Sequence, residues 1–262
     1  MPTHSIVTKS EWLEARRALL AKEKELTRTR DRLAAERRAL PWIKIEKPYV
    51  FDGPSGKVTL SDLFEGRSQL IIKHFMKGPG ATTLCVGCSF EVDHIEGIRV
   101  HLNNHDVTYA AVARAPIEEI EALRRRMGWK FPFVSSYGSD FNYDFDVSFR
   151  RDDVAAGRAL YNFGRAHDWT ADIEDLSGRS VFFKDDDSAI YLTYASFARG
   201  GEDGLAAYAI LDMTPNGRQE NGPYHSLGDW VRPHDQYGKG GMVEPNGRHH
   251  AAGCDCAVHD RA

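Results

Sequence analysis

The chain predicts an α/β fold: a mixed central sheet with helices on both faces, preceded by an N-terminal helical arm. Three observations carry this. From residue 68 onward, apolar runs of strand character alternate with stretches of helical period, in the order strand, helix, strand, helix. A hairpin signal and one more helix follow, which adds antiparallel strands to a parallel pair. Residues 9–40 differ from all that follows, being rich in Glu, Lys, Arg, Ala and Leu with neither Gly nor Pro. The organisation expected is a charged amphipathic helix over 1–41, an α/β domain over 42–215 and an irregular tail over 216–262. With 262 residues and 42% hydrophobic content, the chain can bury one sizeable core with appendages.

In the arm, Ser10 stands where an N-cap would, and Pro41 stops the helix. Trp12, Leu19, Leu26, Leu33 and Leu40 recur every seven residues. The positions midway between them are mostly Lys, Glu, Thr and Arg, whereas a coiled-coil seam wants both positions apolar. The arm therefore reads as one amphipathic helix, with a homodimer through it as the alternative. Its ten basic and six acidic residues give it a charge of +4, which leaves −8 on the remainder. Because acids interleave with the arginines, a solvated face is expected rather than a nucleic-acid patch.

The next segment, "YVFDGPSGKVTLSDLF", has a Gly/Pro turn between short apolar pieces, and Ser61 heads a helical turn. "SQLIIKHFM" is a buried strand, broken by "KGPGATT". From Ser89, the residues Val92, Ile95, Ile98 and Leu102 recur at helical spacing until Asn103-Asn104. "VTYAAVAR" is a second strand. "PIEEIEALRRRMG" is a helix, with Pro116 in its first turn, acids early, arginines late and Gly128 at its stop. "KFPFVSS" is read as extended, "RSVFFKDDDSAIYLTY" as a hairpin around an acidic turn, and "GLAAYAILDMTPNGR" as a last helix ended by Pro215.

A formal charge of −4 supplies no phosphate-binding excess, so nucleic acid is not an expected partner. The apolar runs fall short of the roughly 20 residues a membrane helix needs, and the N-terminal residues lack the apolar core of a secretory signal. A cytoplasmic location without a membrane partner is the expectation. The four cysteines form two close pairs, Cys85/Cys88 and Cys254/Cys256. In a reducing compartment such pairs indicate redox or metal chemistry rather than a disulfide scaffold.

The first pair lies between a buried strand and the first turn of a helix. Unpaired N–H groups and the helix dipole stabilise an anion there, and a thiolate so placed can have its pKa lowered from ~8.5 to ~3.5–7.5. Cys85 would sit at the loop end as nucleophile, and Cys88, one turn in and more sheltered, would displace the mixed disulfide. No cofactor is required. Two alternatives stand beside this: small buried residues at a helix start, or half of a tetrahedral zinc site completed by His249, His250, Cys254, Cys256 or His259.

The order of elements, with C-x-x-C at the first strand-to-helix junction, resembles the thioredoxin superfold in the larger form shared with peroxiredoxins. More closely, the chain resembles a bacterial thioredoxin-like family catalogued as a domain of unknown function. The carrying segments include "EWLEARRALLAKEKELTRTRDRLAAERRALPW", "HFMKGPG", "CVGCSF", "FVSSYGSDFNYDFDVSF", "YLTYASFARG" and "LDMTPNGR". The resemblance implies a thiol–disulfide oxidoreductase or a thiol peroxidase, acting on a disulfide or peroxide and re-reduced by a cellular thiol. Thioredoxins usually carry Trp before the first cysteine, where this chain has Leu84. Peroxiredoxins carry Thr three residues before theirs, which implies Thr82, and an Arg ahead of a late strand, which implies Arg179, the two polarising a peroxide at Cys85.

Other residues keep open readings. In "GSDFNYDFDVSF", Phe141, Tyr143 and Phe145 alternate with Asn142, Asp144 and Asp146. They form either a wall that docks substrate or a loop or short edge strand anchored by aromatics. His74 is read as a buried, hydrogen-bonded histidine, and Glu91 as a solvated helix residue that could otherwise move protons at the pair. Cys254 and Cys256 are either an extra resolving pair or exposed thiols of the tail.

Overall fold

The computed structural model describes residues 4–164 and 174–253. The chain divides into two compact units, residues 1–42 and 43–262. The first is a single helix, α1 (Lys9–Arg38), none of whose residues is buried. Its N-cap is Thr8 rather than Ser10. The Thr8 hydroxyl accepts the Glu11 N–H at 3.3 Å and the Glu11 carboxylate accepts the Thr8 N–H at 2.8 Å. This reciprocal box satisfies two orphan donors and starts the helix two residues earlier than the serine would. Trp12, Leu19, Leu26, Leu33 and Leu40 are all exposed.

The second unit is built on an eight-stranded mixed sheet, β1 (Ile43–Lys44), β2 (Val50–Gly53), β3 (Gly56–Thr59), β4 (Gln69–His74), β6 (Val107–Ala113), β7 (Phe133–Ser135), β8 (Gly178–Lys184) and β9 (Ile190–Phe197), ordered β1-β9-β8-β4-β6-β7-β2-β3. A short strand, β5 (Leu84–Cys85), lies outside it. Strand β4 runs parallel to β6, and β6 to β7. The crossovers are α2 (Val86–Asp93) with α3 (Ile95–Asn104), and then α4 (Ile117–Met127). Strand β8 returns antiparallel beside β4 and forms the expected hairpin with β9. The quartet β6-β4-β8-β9, with a helical crossover between its parallel pair, is the thioredoxin-like core. Pro116 caps α4, and Gly128 ends it at φ 69°, a left-handed conformation open to glycine without Cβ strain.

Alternation along the strands sorts residues between two apolar layers. Ile71 and Phe75 of the β4 segment, with Tyr109, Ala111 and Ala113 of β6, face α2, α3 and α4. Leu70, Ile72, Ala110, Val112 and Phe182 face the other way. The cover on that second face is short: the turn at Leu63-Phe64, the β2–β3 hairpin and the one-turn helix α5 (Phe141–Asp144). The last helix of this sequence region, α7 (Ala206–Leu211), stops before Pro215, at Asp212, whose carboxylate pairs with Arg218. No described helix is long and apolar enough to cross a membrane.

Residues 216–253 pack onto α2. Val86 and Phe90, on one side of that helix, meet Leu205, Tyr208, Val231 and Val243. Two short strands close the segment, β10 (Met242–Val243) and β11 (Arg248–His250), and β11 pairs antiparallel with β5.

Candidate active site

Helix α2 is apolar on both sides, its Cys88 and Val92 toward the sheet and its Val86 and Phe90 toward the C-terminal segment. It begins one residue after Cys85, which is its N-cap: the Cys85 sulfur accepts the Cys88 N–H at 3.2 Å. The apolar period of this helix is read from Ser89 and the pair at its first turn; the structure starts the helix at Val86, with this sulfur in the capping position. Cys85, Cys88 and Glu91 then follow at three-residue steps down one face.

Beneath that face lie two cations. Lys73 on β4 and Arg179 on β8 stand directly opposite each other across the antiparallel pair. Glu91 reaches both, with Oε2 at 2.5 Å from Lys73 Nζ and Oε1 at 2.7 Å from Arg179 Nη2. Lys73 also donates to Ser177 Oγ at 2.5 Å, and Arg179 to the Gly201 carbonyl at 3.2 Å. Lys73 is 2% exposed and Glu91 6%, so Glu91 is not the solvated helix residue its sequence position suggests. The two cations hold the Glu91 carboxyl below its usual range against the opposing effect of burial. Tyr109 presents a buried hydroxyl with no partner among the described residues.

The two sulfurs differ in environment. Burial pushes the Cys88 thiol up. The hydrogen bond from the Cys85 thiol, the Lys73 ammonium and the Met76 N–H at 3.5 Å outweigh it, and Cys88 ends lowered to about 6. Cys85, beside Cys88 and itself buried, is raised well above the ordinary thiol value. At rest, negative charge therefore sits on Cys88 and the proton on Cys85. That is the reverse of the distribution expected from the helix terminus alone, because Lys73 lies beside the second cysteine. Cys85 also packs 3.7 Å from Met76 Sδ.

Strand β11 covers the pair. Arg248 stands opposite Cys85 and His249 opposite Leu84. The Val86 N–H donates to the Gly247 carbonyl at 2.9 Å, and Arg248 Nη1 to the Met76 carbonyl at 3.4 Å. Both cysteines are buried. His250 Nε2 is hydrogen-bonded to the Glu244 carboxylate at 2.5 Å. Among the described residues no three His, Cys, Asp or Glu side chains converge as metal ligands, and Cys254, Cys256 and His259 lie outside those residues.

The remaining sequence candidates fall elsewhere. Thr82 is exposed and lines a cleft of about 220 Å³ with Lys77, Leu84, Glu119 and Arg126. Arg179 is held by Glu91 and does not join Thr82. Phe141 and Phe145 are buried in the layer on the opposite side of the sheet, with Tyr49, Phe51 and Phe182. They flank His74, which is buried there and hydrogen-bonded to Ser180 at 2.8 Å. Tyr143 is half-buried, its hydroxyl accepting from Arg114 at 3.0 Å while Arg150 lies 4.3 Å over its ring. The sheet thus separates Phe141 and Phe145 from the cysteines. Their alternation reads as extended chain, but residues four apart also share a helical face, and α5 uses that spacing.

Sequence reasoning missed Lys73, Ser177 and Arg248. Lys73 carried a signal: a lysine inside the apolar run "LIIKHFM" must find a buried partner. Arg248 carried none, since only the pairing of β11 with β5 brings it to the site.

A family described as "Bacterial protein of unknown function (DUF899)" matches residues 1–237. No curated protein matches the chain. Among solved structures, a PrxQ mutant from Xylella fastidiosa is similar at 15% identity, with a TM-score of 0.42, over 62% of this chain and 88% of that one. Peroxidoxin BcpB from Mycobacterium tuberculosis is similar at 14% identity, with a TM-score of 0.37, over 61% and 90%. A candidate protein disulfide isomerase from Bacteroides thetaiotaomicron is similar at 18% identity, with a TM-score of 0.34, over 64% and 86%. The family match runs from the charged N-terminal helix through the sheet and into the segment that packs on α2, and the chain belongs to the bacterial family DUF899.

Proposed function

We propose that the protein is a thiol–disulfide oxidoreductase whose redox centre is the Cys85–Cys88 pair. The observation that carries this is the helix start itself: the Cys88 N–H bonded to the Cys85 sulfur at 3.2 Å, with Lys73 beneath Cys88. That geometry holds two sulfurs one turn apart and stabilises one negative charge between them.

Cys85 is the attacking sulfur and Cys88 the resolving one. Cys85 is 5% exposed against 1% for Cys88, and it takes the outer position at the helix end. Its proton passes to Cys88. The Cys85 thiolate, stabilised by the Cys88 N–H, attacks one sulfur of a substrate disulfide and expels the other as a thiolate. Cys88 returns its proton to that leaving group and attacks Cys85, releasing the second substrate sulfur as a thiolate that takes its proton from water, and leaving the Cys85–Cys88 disulfide. A cellular thiol reductant restores the pair.

Arg248, brought opposite Cys85, favours a hydroperoxide as a second oxidant of the same pair. In that case Cys85 takes the terminal oxygen, an alcohol leaves, and Cys88 displaces water from the sulfenic acid to give the same disulfide.

Mass spectrometry of the intact chain and of its Cys85/Cys88 peptide tests the reading. Treatment with oxidised glutathione is expected to remove two hydrogens from that peptide. Cys88→Ser should trap a mixed disulfide on Cys85 instead. Mixed disulfide confined to Cys88 in Cys85→Ser, with none in Cys88→Ser, would reverse the two roles.

A further inference from the structure

The charges around Cys88 do not balance without it. Lys73 and Arg179 bring two positive charges to the floor of the site, Glu91 brings one negative charge, and the Glu91 carboxylate accepts from both cations, with Lys73 and Glu91 buried. Among the described residues no second carboxylate bonds to either cation. Burying one uncompensated charge costs several kcal/mol, so the floor favours an anion beside it. The charged and titratable groups around Cys88 are Lys73 of β4, Glu91 of α2, Cys85 of β5 and the phenols Tyr109 of β6 and Tyr161; Arg179 of β8 joins them through the Glu91 carboxylate, and Arg248 of β11 lies beside Cys85. Of these neighbours, Cys85 and the two phenols hold their protons and the others are already charged. The anion that completes the set is the Cys88 thiolate.

We infer that the Lys73–Glu91–Arg179 network makes this pair an oxidant of dithiols, because the network stabilises the reduced pair as one thiol and one thiolate and loses its counter-anion when the disulfide forms. This rests on the redox reading of Cys85 and Cys88 and sets the favoured direction of the same exchange: electrons pass from a dithiol to the pair, the reverse of the steps written for a substrate disulfide. Reduction of the pair is the disulfide plus two electrons plus one proton, giving the Cys85 thiol and the Cys88 thiolate. A dithiol substrate supplies both electrons, leaves as its own disulfide and gives up two protons, one taken by Cys85 and one released to water. A stabilised reduced state is what makes a disulfide strongly oxidising. Lys73 and Glu91 act through Cys88 and need not touch substrate.

The measurement is the equilibrium of the full-length protein with mixtures of reduced and oxidised glutathione. Cys85 and Cys88 are followed by differential alkylation of their own peptide, so that Cys254 and Cys256 do not enter. Glutathione thiols stay protonated up to about pH 8, while the reduced pair holds a single proton above about pH 6. Oxidation of the pair then consumes a proton. Its constant should fall about tenfold per pH unit between about pH 6 and 8. Lys73→Met removes the excess positive charge. It should flatten that dependence and favour the disulfide about tenfold near pH 7, equivalent to about 30 mV. Glu91→Gln adds to the excess and should shift the constant the other way. Should Lys73→Met not fold, Arg179→Met carries the same sign. A wild-type constant that does not vary with pH, or Lys73→Met and Glu91→Gln moving together, overturns the inference alone. A pair that forms no disulfide at any glutathione ratio overturns the redox reading and this inference with it.

Discussion

At the scale of single residues, the β4 stretch Ile72-Lys73-His74 shows how one strand serves two chemistries. Alternation turns Lys73 to the cysteine side and His74 to the opposite apolar layer, beside the rings of Phe141 and Phe145. Burial, helped by the Lys73 charge, lowers His74 to about 3, so the folded protein holds a neutral imidazole. An unfolded histidine takes up its proton near 6.5, so below that value unfolding binds a proton. His74 accordingly costs stability as the pH falls from about 6.5 toward about 3, at roughly 1.4 kcal/mol per pH unit. Urea unfolding at a series of pH values should show this slope, and His74→Gln should lose it. The pH dependence of Cys88 runs in the same direction. Its folded value, about 6, lies below that of a free thiol, so its contribution is full above about pH 8.5 and disappears as the pH falls through about 6. Reduced protein should therefore gain stability as the pH rises between those values, and disulfide-bonded protein should not.

At the scale of elements, α2 and β11 decide access to the site. A helix apolar on both sides must be covered on both, and residues 205–243 supply the second cover. The β11–β5 pairing then closes over Cys85 with two strand residues on one side and three on the other. So short a ladder opens far more readily than the eight-stranded sheet. Truncation after Gly241 removes β10 and β11 and should raise the alkylation rate of Cys85 by about tenfold or more; an unchanged rate would mean that β11 does not gate the pair. Helix α4 offers an independent check on the backbone. Gly128 ends it at φ 69° with no neighbour within contact of an added Cβ, so Gly128→Ala should cost about 1 kcal/mol through conformation alone, read as a shift in urea midpoint.

At the scale of the whole molecule, the cysteines, their charged floor and their cover all belong to residues 43–262, one of the two compact units. A fragment of those residues should keep the ultraviolet titration of the thiolate near about pH 6. A shift of more than about one unit would tie the first unit to the site. Helix α1 carries its own ordering in the Thr8–Glu11 box and in ion pairs such as Arg16–Glu23 and Arg32–Glu25, while its heptad apolar residues stay exposed. Sedimentation of the full chain and of the fragment will show whether that stripe joins two copies.

The sequence by itself determined the elements whose signals are local. Pro116 and Gly128 bound α4, the apolar run at 69–74 is a strand, and an acidic turn joins β8 to β9. The C-x-x-C pair opens a helix because its first sulfur can cap one. What lay beyond the sequence was set by contacts between residues far apart in the chain. Glu91 reads as a surface residue until β4 and β8 place Lys73 and Arg179 side by side beneath it, 18 and 88 residues away. Phe141 and Phe145 read as a cleft wall until the sheet puts them on its other face. Cys85 reads as exposed until β11 pairs with β5. Charge placement was decided in the same way. The helix terminus favours an anion at Cys85, but the Lys73 ammonium acts on Cys88 within a buried site, and Coulomb energy between buried groups outweighs a helix-end effect worth about 1 kcal/mol.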